Sequence, residues 1–142
     1  MHNKFLVTIL ATVLLFSVGC KKESTTAPTE EPPVSAPPSF NIASTLANCT
    51  GTNDCIEFFA TPNKDVILVK VVIKYPVTGS ITYNLGSSTV ISDESIALQA
   101  AGTAYNRISG TWRFTFTGSL AGEDQSSFTV ATSVNVGAKL KN

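Results

Sequence analysis

The sequence predicts an all-β fold: a single antiparallel β-sandwich over residues 40–142, preceded by a cleaved signal helix and a disordered tether. Short segments rich in β-branched and aromatic residues alternate between apolar and polar positions, as half-buried strands do. Turn-forming residues separate these segments at intervals of about 8–12 residues, a spacing typical of sandwiches. No segment of ten or more residues keeps a convincing helical period.

Six strands are predicted before the last hairpin, in the segments CIEFFATP, DVILVKVVIKYP, SITYNL, TVIS, SIALQA and TAYNRI. The second segment is the strongest, with odd-numbered residues 67–75 on one face and even-numbered residues 66–74 on the other. Because the even-numbered face turns polar toward its end, we expect a central strand packed mainly on one side. Residues 76–79 and 86–88 are predicted turns.

Residues 109–136 indicate a hairpin. In GTWRFTFTG, Trp112, Phe114 and Phe116 alternate with polar residues, and SFTVATSVNV continues the period of two. Two such strands joined by the loop 118–126 predict an antiparallel pair with its aromatic residues inward. Trp112 is therefore expected in the core rather than on a sugar-stacking surface. This pattern resembles the last two strands of immunoglobulin-like or fibronectin-like modules, a resemblance that implies a fold and carries no functional residues.

The N-terminus predicts export. Lys4 precedes an apolar run over residues 5–18, which suits a signal peptide and is short for a membrane span of roughly 20 residues. The run ends in FSVGC, followed by two lysines. This order resembles the signal of bacterial lipoproteins of the Bacteroidota type, although Ser17 stands where that family usually has Leu. The resemblance implies cleavage after residue 19 and lipid attachment to Cys20. An ordinary secretory signal and a transmembrane anchor are the alternatives.

Residues 20–39 predict a tether between the lipid and the domain. Five of the seven prolines lie there, and Val34 is its only large aliphatic residue. Such a segment buries too little apolar area to offset its ordering entropy. In an extended polyproline conformation it reaches roughly 60 Å. We expect a cell-envelope protein held at the outer membrane, with the facing leaflet left open.

Two further cysteines, Cys49 and Cys55, lie in NCTGTNDC. In an exported protein such a pair predicts a disulfide. A redox-active or metal-binding pair is the alternative. It is disfavoured because the spacing differs from the two-residue gap of thioredoxin-like motifs and because no histidine follows His2.

The composition disfavours catalysis and nucleic-acid binding. Without a histidine in the mature chain, the Ser-His-Asp and Cys-His arrangements and the commonest metal ligand are excluded. Ten basic and ten acidic residues balance, so no basic stripe exists for phosphates. Two acidic pairs, Asp93-Glu94 and Glu123-Asp124, lie in predicted loops. We interpret these loops as solvated turns, and calcium binding by their carboxylates is the alternative. We expect no enzyme, no cofactor and no resident metal.

A candidate binding patch consists of Tyr83, Tyr105 and Arg107. Both tyrosines have polar sequence neighbours, and Tyr and Arg are favoured at protein interfaces. Alternatively, the tyrosine hydroxyls cap the edge of the sandwich. The sequence thus predicts a non-catalytic binding, adhesion or scaffold module for another envelope protein or a glycan. A structural assembly subunit or spacer is the alternative, and an accessory to a secreted enzyme a weaker one.

Overall fold

The computed structural model describes residues 35–49, 51–122 and 125–138. All regular secondary structure in these ranges is β strand, as predicted. The strands are β1 (Phe40–Cys49), β2 (Thr52–Pro62), β3 (Val66–Lys74), β4 (Ser80–Val90), β5 (Ile96–Ala97), β6 (Tyr105–Asn106), β7 (Gly110–Leu120) and β8 (Ser127–Val136). The predicted signal helix, Cys20 and most of the tether lie outside the described residues. Within those residues, no helix has the length and apolar character needed to cross a membrane.

The strands form two antiparallel sheets. In the first, β2 lies between β1 on one side and the short strands β5 and β6 on the other. In the second, the order is β4-β3-β7-β8. The strong apolar segment is therefore a central strand, as its sequence predicts, and the last two strands form the predicted hairpin.

Inward side chains of both sheets share one hydrophobic core. Phe40 of the first sheet stacks on Phe116 of the second, with ring centroids 3.9 Å apart. Phe58 contacts Trp112 and Phe114 across the core at 4.8 and 5.0 Å. Trp112 has no exposed surface, which confirms its predicted place in the core. These aromatic contacts between sheets supply large buried area and add directional ring packing.

A bulge in β3 corrects the predicted faces of that strand. Val66 and Leu68 are buried, and so are Val71 and Ile73, although the sequence pattern puts the two pairs on opposite faces. The register shifts between Leu68 and Lys70 against both neighbouring strands. The extra residue, Val69, is 44% exposed. Since one inserted residue reverses the alternation, both halves of β3 point into the same core.

The predicted turn at residues 86–88 is also wrong. One strand, β4, runs through it, and Gly86 and Ser87 adopt left-handed backbone conformations (φ 61° and 64°). These residues lie opposite the β3 irregularity, and the two strands remain paired on both sides of it. Two further differences separate the structure from the sequence prediction. Strand β1 is not predicted, and β5 and β6 are shorter than the predicted segments SIALQA and TAYNRI.

The strands run between two ends of the described part of the chain. The proximal end carries residues 35–39 and the connections β2–β3, β4–β5 and β7–β8. The distal end carries the connections β1–β2, β3–β4 and β6–β7. Residues 35–39 are attached at the proximal end: Pro38 is buried, Ser39 exchanges two hydrogen bonds with Asn63, and Lys64 Nζ donates to Ala36 O.

Candidate ligand-binding surface

Tyr105 packs against the side of the core near the distal end. It lies in β6, opposite Ile56 of β2. Its ring contacts Phe58 and Trp112, with both centroid distances at 5.9 Å, and its hydroxyl donates to Leu98 O. Burial, followed by the negative charges that Tyr75 and Tyr83 carry when ionised, raises the pKa of Tyr105 from 10.0 to about 12. Tyr105 is therefore neutral and held in place at physiological pH.

Tyr75 and Tyr83 are the two tyrosines whose ionised forms raise the pKa of Tyr105. Tyr75 follows the last residue of β3, and its ring meets Trp112 edge-on at 5.0 Å. Tyr83 lies on β4 opposite Val71. All three tyrosines are half-buried, and they come from separate parts of the sequence.

A shallow cavity of about 400 Å³ opens beside Tyr75 and Tyr105. Its lining residues come from the β3–β4 turn, β6 and the residues flanking β6: Tyr75, Thr78, Ala104, Tyr105, Asn106 and Ile108. The turn is closed by a hydrogen bond from Tyr75 N to Gly79 O. Hydroxyl and amide groups beside aromatic rings suit a hydroxylated or peptide-like ligand.

Arg107 lies in a second depression, of about 440 Å³, which Asn106 also lines. Its Nη2 donates to Gly137 O at 3.1 Å and to Ala138 O at 3.4 Å, which ties down the chain that follows β8. Its Nε is buried and has no hydrogen-bond partner among the described residues. The two depressions adjoin through the exposed Asn106.

The predicted patch is therefore brought together only in part. Tyr83 adds to the raised pKa of Tyr105 but lines neither depression, whereas Arg107 lines the second depression and donates to backbone carbonyls. Sequence reasoning does not single out Thr78 or Asn106. The available signal for Asn106 is its position between Tyr105 and Arg107 in a polar segment, and no signal indicates Thr78.

The disulfide lies at the same distal end. Cys49 and Cys55 are bonded across the β1–β2 hairpin with their Cα atoms 5.6 Å apart, which fits the predicted pair. Cys55 is buried and lies opposite Asn106 of β6. The bond therefore holds the hairpin next to the backbone that presents Asn106 and Arg107.

Metal and sugar-stacking sites find no support in the described residues. Within them, no group of three or more His, Cys, Asp or Glu side chains is placed to hold a metal ion. Asp93 and Glu94 lie at the proximal end, and Glu123 and Asp124 lie outside the described residues. The indole N–H of Trp112 donates to Ile108 O at 2.9 Å inside the core, so this ring is not a sugar platform.

Comparison with protein-family models, with curated proteins and with solved structures finds no match to this chain.

Proposed function

We propose that this chain is a lipid-anchored protein of a bacterial envelope whose β domain binds another envelope protein or a glycan without catalysing a reaction. The membrane is contacted through acyl chains on Cys20, at the outer membrane. The distal end of the domain is its binding surface, with Asn106 and Tyr105 at its centre and Tyr83 of β4 as a further proposed contact.

The anchor is supported by the order of features in the sequence: a charged residue, an apolar run, small residues, Cys20 and a proline-rich tether. Several acyl chains at about 0.8 kcal/mol per buried methylene give stable attachment, which one chain alone does not. The Cys49–Cys55 disulfide supports the export step, because disulfides persist in oxidising compartments.

An immunoglobulin-like sandwich is the proposed fold family. Numbered from the N-terminus, β1, β2 and β5 correspond to strands A, B and E, and β4, β3, β7 and β8 to C′, C, F and G. The Tyr105 hydroxyl, bonded to a carbonyl seven residues upstream ahead of β7, is similar to the tyrosine corner of that fold. Folds of this kind carry binding functions on the loops at their ends.

The observation that carries the binding proposal is the separation of the two ends. Residues 35–39 are attached at the proximal end, while the two depressions that share Asn106 lie toward the distal end. Strands of about ten residues set these ends roughly 33 Å apart. A tether that leaves from the proximal end therefore leaves the distal surface free to meet a partner.

The test uses the full chain, purified from membranes in detergent, on glycan arrays and in pull-downs from envelope extract. We expect a bound glycan or envelope protein, with affinity reduced about tenfold or more by Asn106→Ala or Tyr83→Ala. Glu94→Ala, at the proximal end, is the matched control and should leave binding unchanged. Absence of any ligand, together with turnover in a hydrolase screen, would overturn the proposal.

A further inference from the structure

The outer edge of β8 is an unpaired strand edge. On its inner side, β8 pairs with β7 residue by residue from Ser119↔Ser127 to Gly110↔Val136 without irregularity. On its outer side, no strand within the described part of the chain pairs with it. Leu120 N donates to Ser126 O where the hairpin closes, and alternate pairs of an antiparallel ladder are hydrogen-bonded. Residues 129, 131, 133 and 135 therefore direct their backbone N–H and C=O groups outward.

This edge lacks the features that usually prevent strand addition. Charged residues, proline and bulges commonly protect edge strands, and β8 contains none of them. The other long edge strands differ, since pairing is irregular between Ala47 and Cys49 in β1 and around Gly86 in β4. The segment 35–38 lies beside residues 127–130 and makes no hydrogen bond to them.

We infer that two copies of this chain associate by antiparallel pairing of β8 with β8, which joins two four-stranded sheets into one of eight strands. Antiparallel pairing of identical strands is self-complementary and gives a closed twofold dimer. The strand brings no charge to the interface, so the second copy meets no like-charge repulsion. The dimer requires neither the lipid nor the ligand proposed above.

The side-chain pattern of β8 specifies one register. With Thr132 on the twofold axis, Val130 faces Val134 and Phe128 faces Val136 on the core side. Ala131 faces Ser133 and Thr129 faces Asn135 on the solvent side. In this register the outward backbone groups of the odd-numbered residues meet one another. A shift by one residue sets core-facing side chains against solvent-facing ones, and a shift by two sets Thr132 against Val134.

Cysteine cross-linking of the full chain, purified in detergent, tests this register. Thr132→Cys lies directly opposite its copy, whereas Thr129→Cys lies about 20 Å from its copy. We expect mild oxidation of Thr132→Cys to give much more covalent dimer than the same treatment of the wild type. The amount formed by the wild type measures any cross-linking through Cys20. Thr129→Cys should stay at that level. Equal cross-linking of the two variants would overturn the register and the inference.

Sedimentation of the full chain at micromolar concentration tests the interface without new thiols. We expect wild-type dimers and an approximately tenfold or greater weakening by Ala131→Lys, which places lysines from both copies near the axis. Thr82→Lys, on the solvent face of the irregular edge β4, should leave the dimer unchanged. A monomeric wild type, or a dimer insensitive to Ala131→Lys, would overturn the inference. Ala131→Lys should still bind the glycan or protein as the wild type does. Its effect on the dimer therefore tests this inference independently of the binding proposal.

Discussion

At the scale of single residues, Gly118 is a position of β7 where the backbone of β3 leaves no room for a side chain. A Cβ atom on Gly118 would lie 2.2 Å from Ile67 O and 3.2 Å from Leu68 Cα. Backbone atoms in the middle of a sheet cannot move aside as a flexible side chain does. The β3 bulge beside this contact therefore depends on glycine.

We predict that Gly118→Ala lowers the free energy of unfolding by about 1–3 kcal/mol or more, as overpacking does. Gly137→Ala is the matched control, because its Cβ would meet no atom within 4 Å. It should change stability by about 0.5 kcal/mol or less. Urea unfolding followed by Trp112 fluorescence measures both, and equal effects of the two substitutions would contradict the packing argument.

Tyr105 gives a pH-dependent prediction. Its pKa rises from 10.0 to about 12 on folding, mainly through burial. The folded state therefore holds this proton more tightly than the unfolded chain. The resulting stabilisation is fully present below pH 10 and is lost as the pH rises through about 12.

We expect the free energy of unfolding to fall between pH 10 and 12, and Tyr105→Phe to flatten that fall. The substitution should also cost about 1 kcal/mol at neutral pH, because Leu98 O loses its donor. Urea titrations at a series of pH values provide the measurement. A pH profile unaltered by Tyr105→Phe would show that this hydroxyl does not contribute.

The sequence predicts the structural roles of some of these residues and not of others. Trp112 is predictable because it shares one alternating face with Phe114 and Phe116. The role of Tyr105 is not, because it depends on Leu98 O and on pairing with β2 across about 50 residues of chain. Glycine is needed at position 118 because of a bulge in another strand, β3. The sequence around Gly118 therefore does not predict this requirement.

At the scale of elements, bulges set the limit of prediction from sequence. In the β3 segment the odd-numbered residues 67–75 are apolar without a break, and no residue signals that Val69 is inserted. In β4, Gly86 and Ser87 are turn-forming residues, and the local signal for a turn is the same as for a bulge. Partner strands decide between these outcomes. The hairpin of β7 and β8 has no bulge and was correctly predicted.

Gln99 completes the interrupted edge of the first sheet. Between β5 and β6, the side chain of Gln99 replaces part of the main-chain pairing to β2. Gln99 Oε1 accepts a hydrogen bond from Phe58 N at 3.2 Å. Gln99 is buried, so this amide substitutes for a strand that is absent at that point among the described residues.

We predict that Gln99→Leu costs about 1–3 kcal/mol, because it leaves the Phe58 N–H buried without an acceptor. Asn84→Leu, a comparable change at an exposed position of β4, should stay within about 0.5 kcal/mol. Chemical denaturation of both variants checks this. Hydrogen exchange at Phe58 should accelerate in Gln99→Leu alone, and unchanged exchange there would contradict the assignment.

The disulfide is predicted to contribute modestly to stability. Its sequence separation is 6, so it closes a short loop and removes little entropy from the unfolded chain. Replacing both Cys49 and Cys55 by Ser should therefore cost about 2 kcal/mol or less. Thermal unfolding with and without reductant measures the effect in the wild type. Reductant should leave the double variant unchanged, and a much larger loss would indicate a role beyond loop closure.

At the scale of the whole molecule, the proposed function depends on the distance between the two ends of the strands. Residues 35–39 lie at one end of the strands, and the candidate binding surface lies toward the other. The residue types of this surface are readable from the sequence, which offers Tyr83, Tyr105 and Arg107 as a candidate patch. Their assembly is not readable, because Tyr75, Tyr83 and Tyr105 meet only through strand pairing in two different sheets.

The intact mass of the protein extracted from membranes of the cells that make it tests the central claim most directly. Lipid anchoring predicts a chain that begins at Cys20 and carries the added mass of several acyl chains. Inhibition of the lipoprotein signal peptidase should shift the mass to a precursor that keeps residues 1–19. A chain with an unmodified Cys20 would contradict the anchor, and with it the proposal that the distal end faces a partner from a membrane.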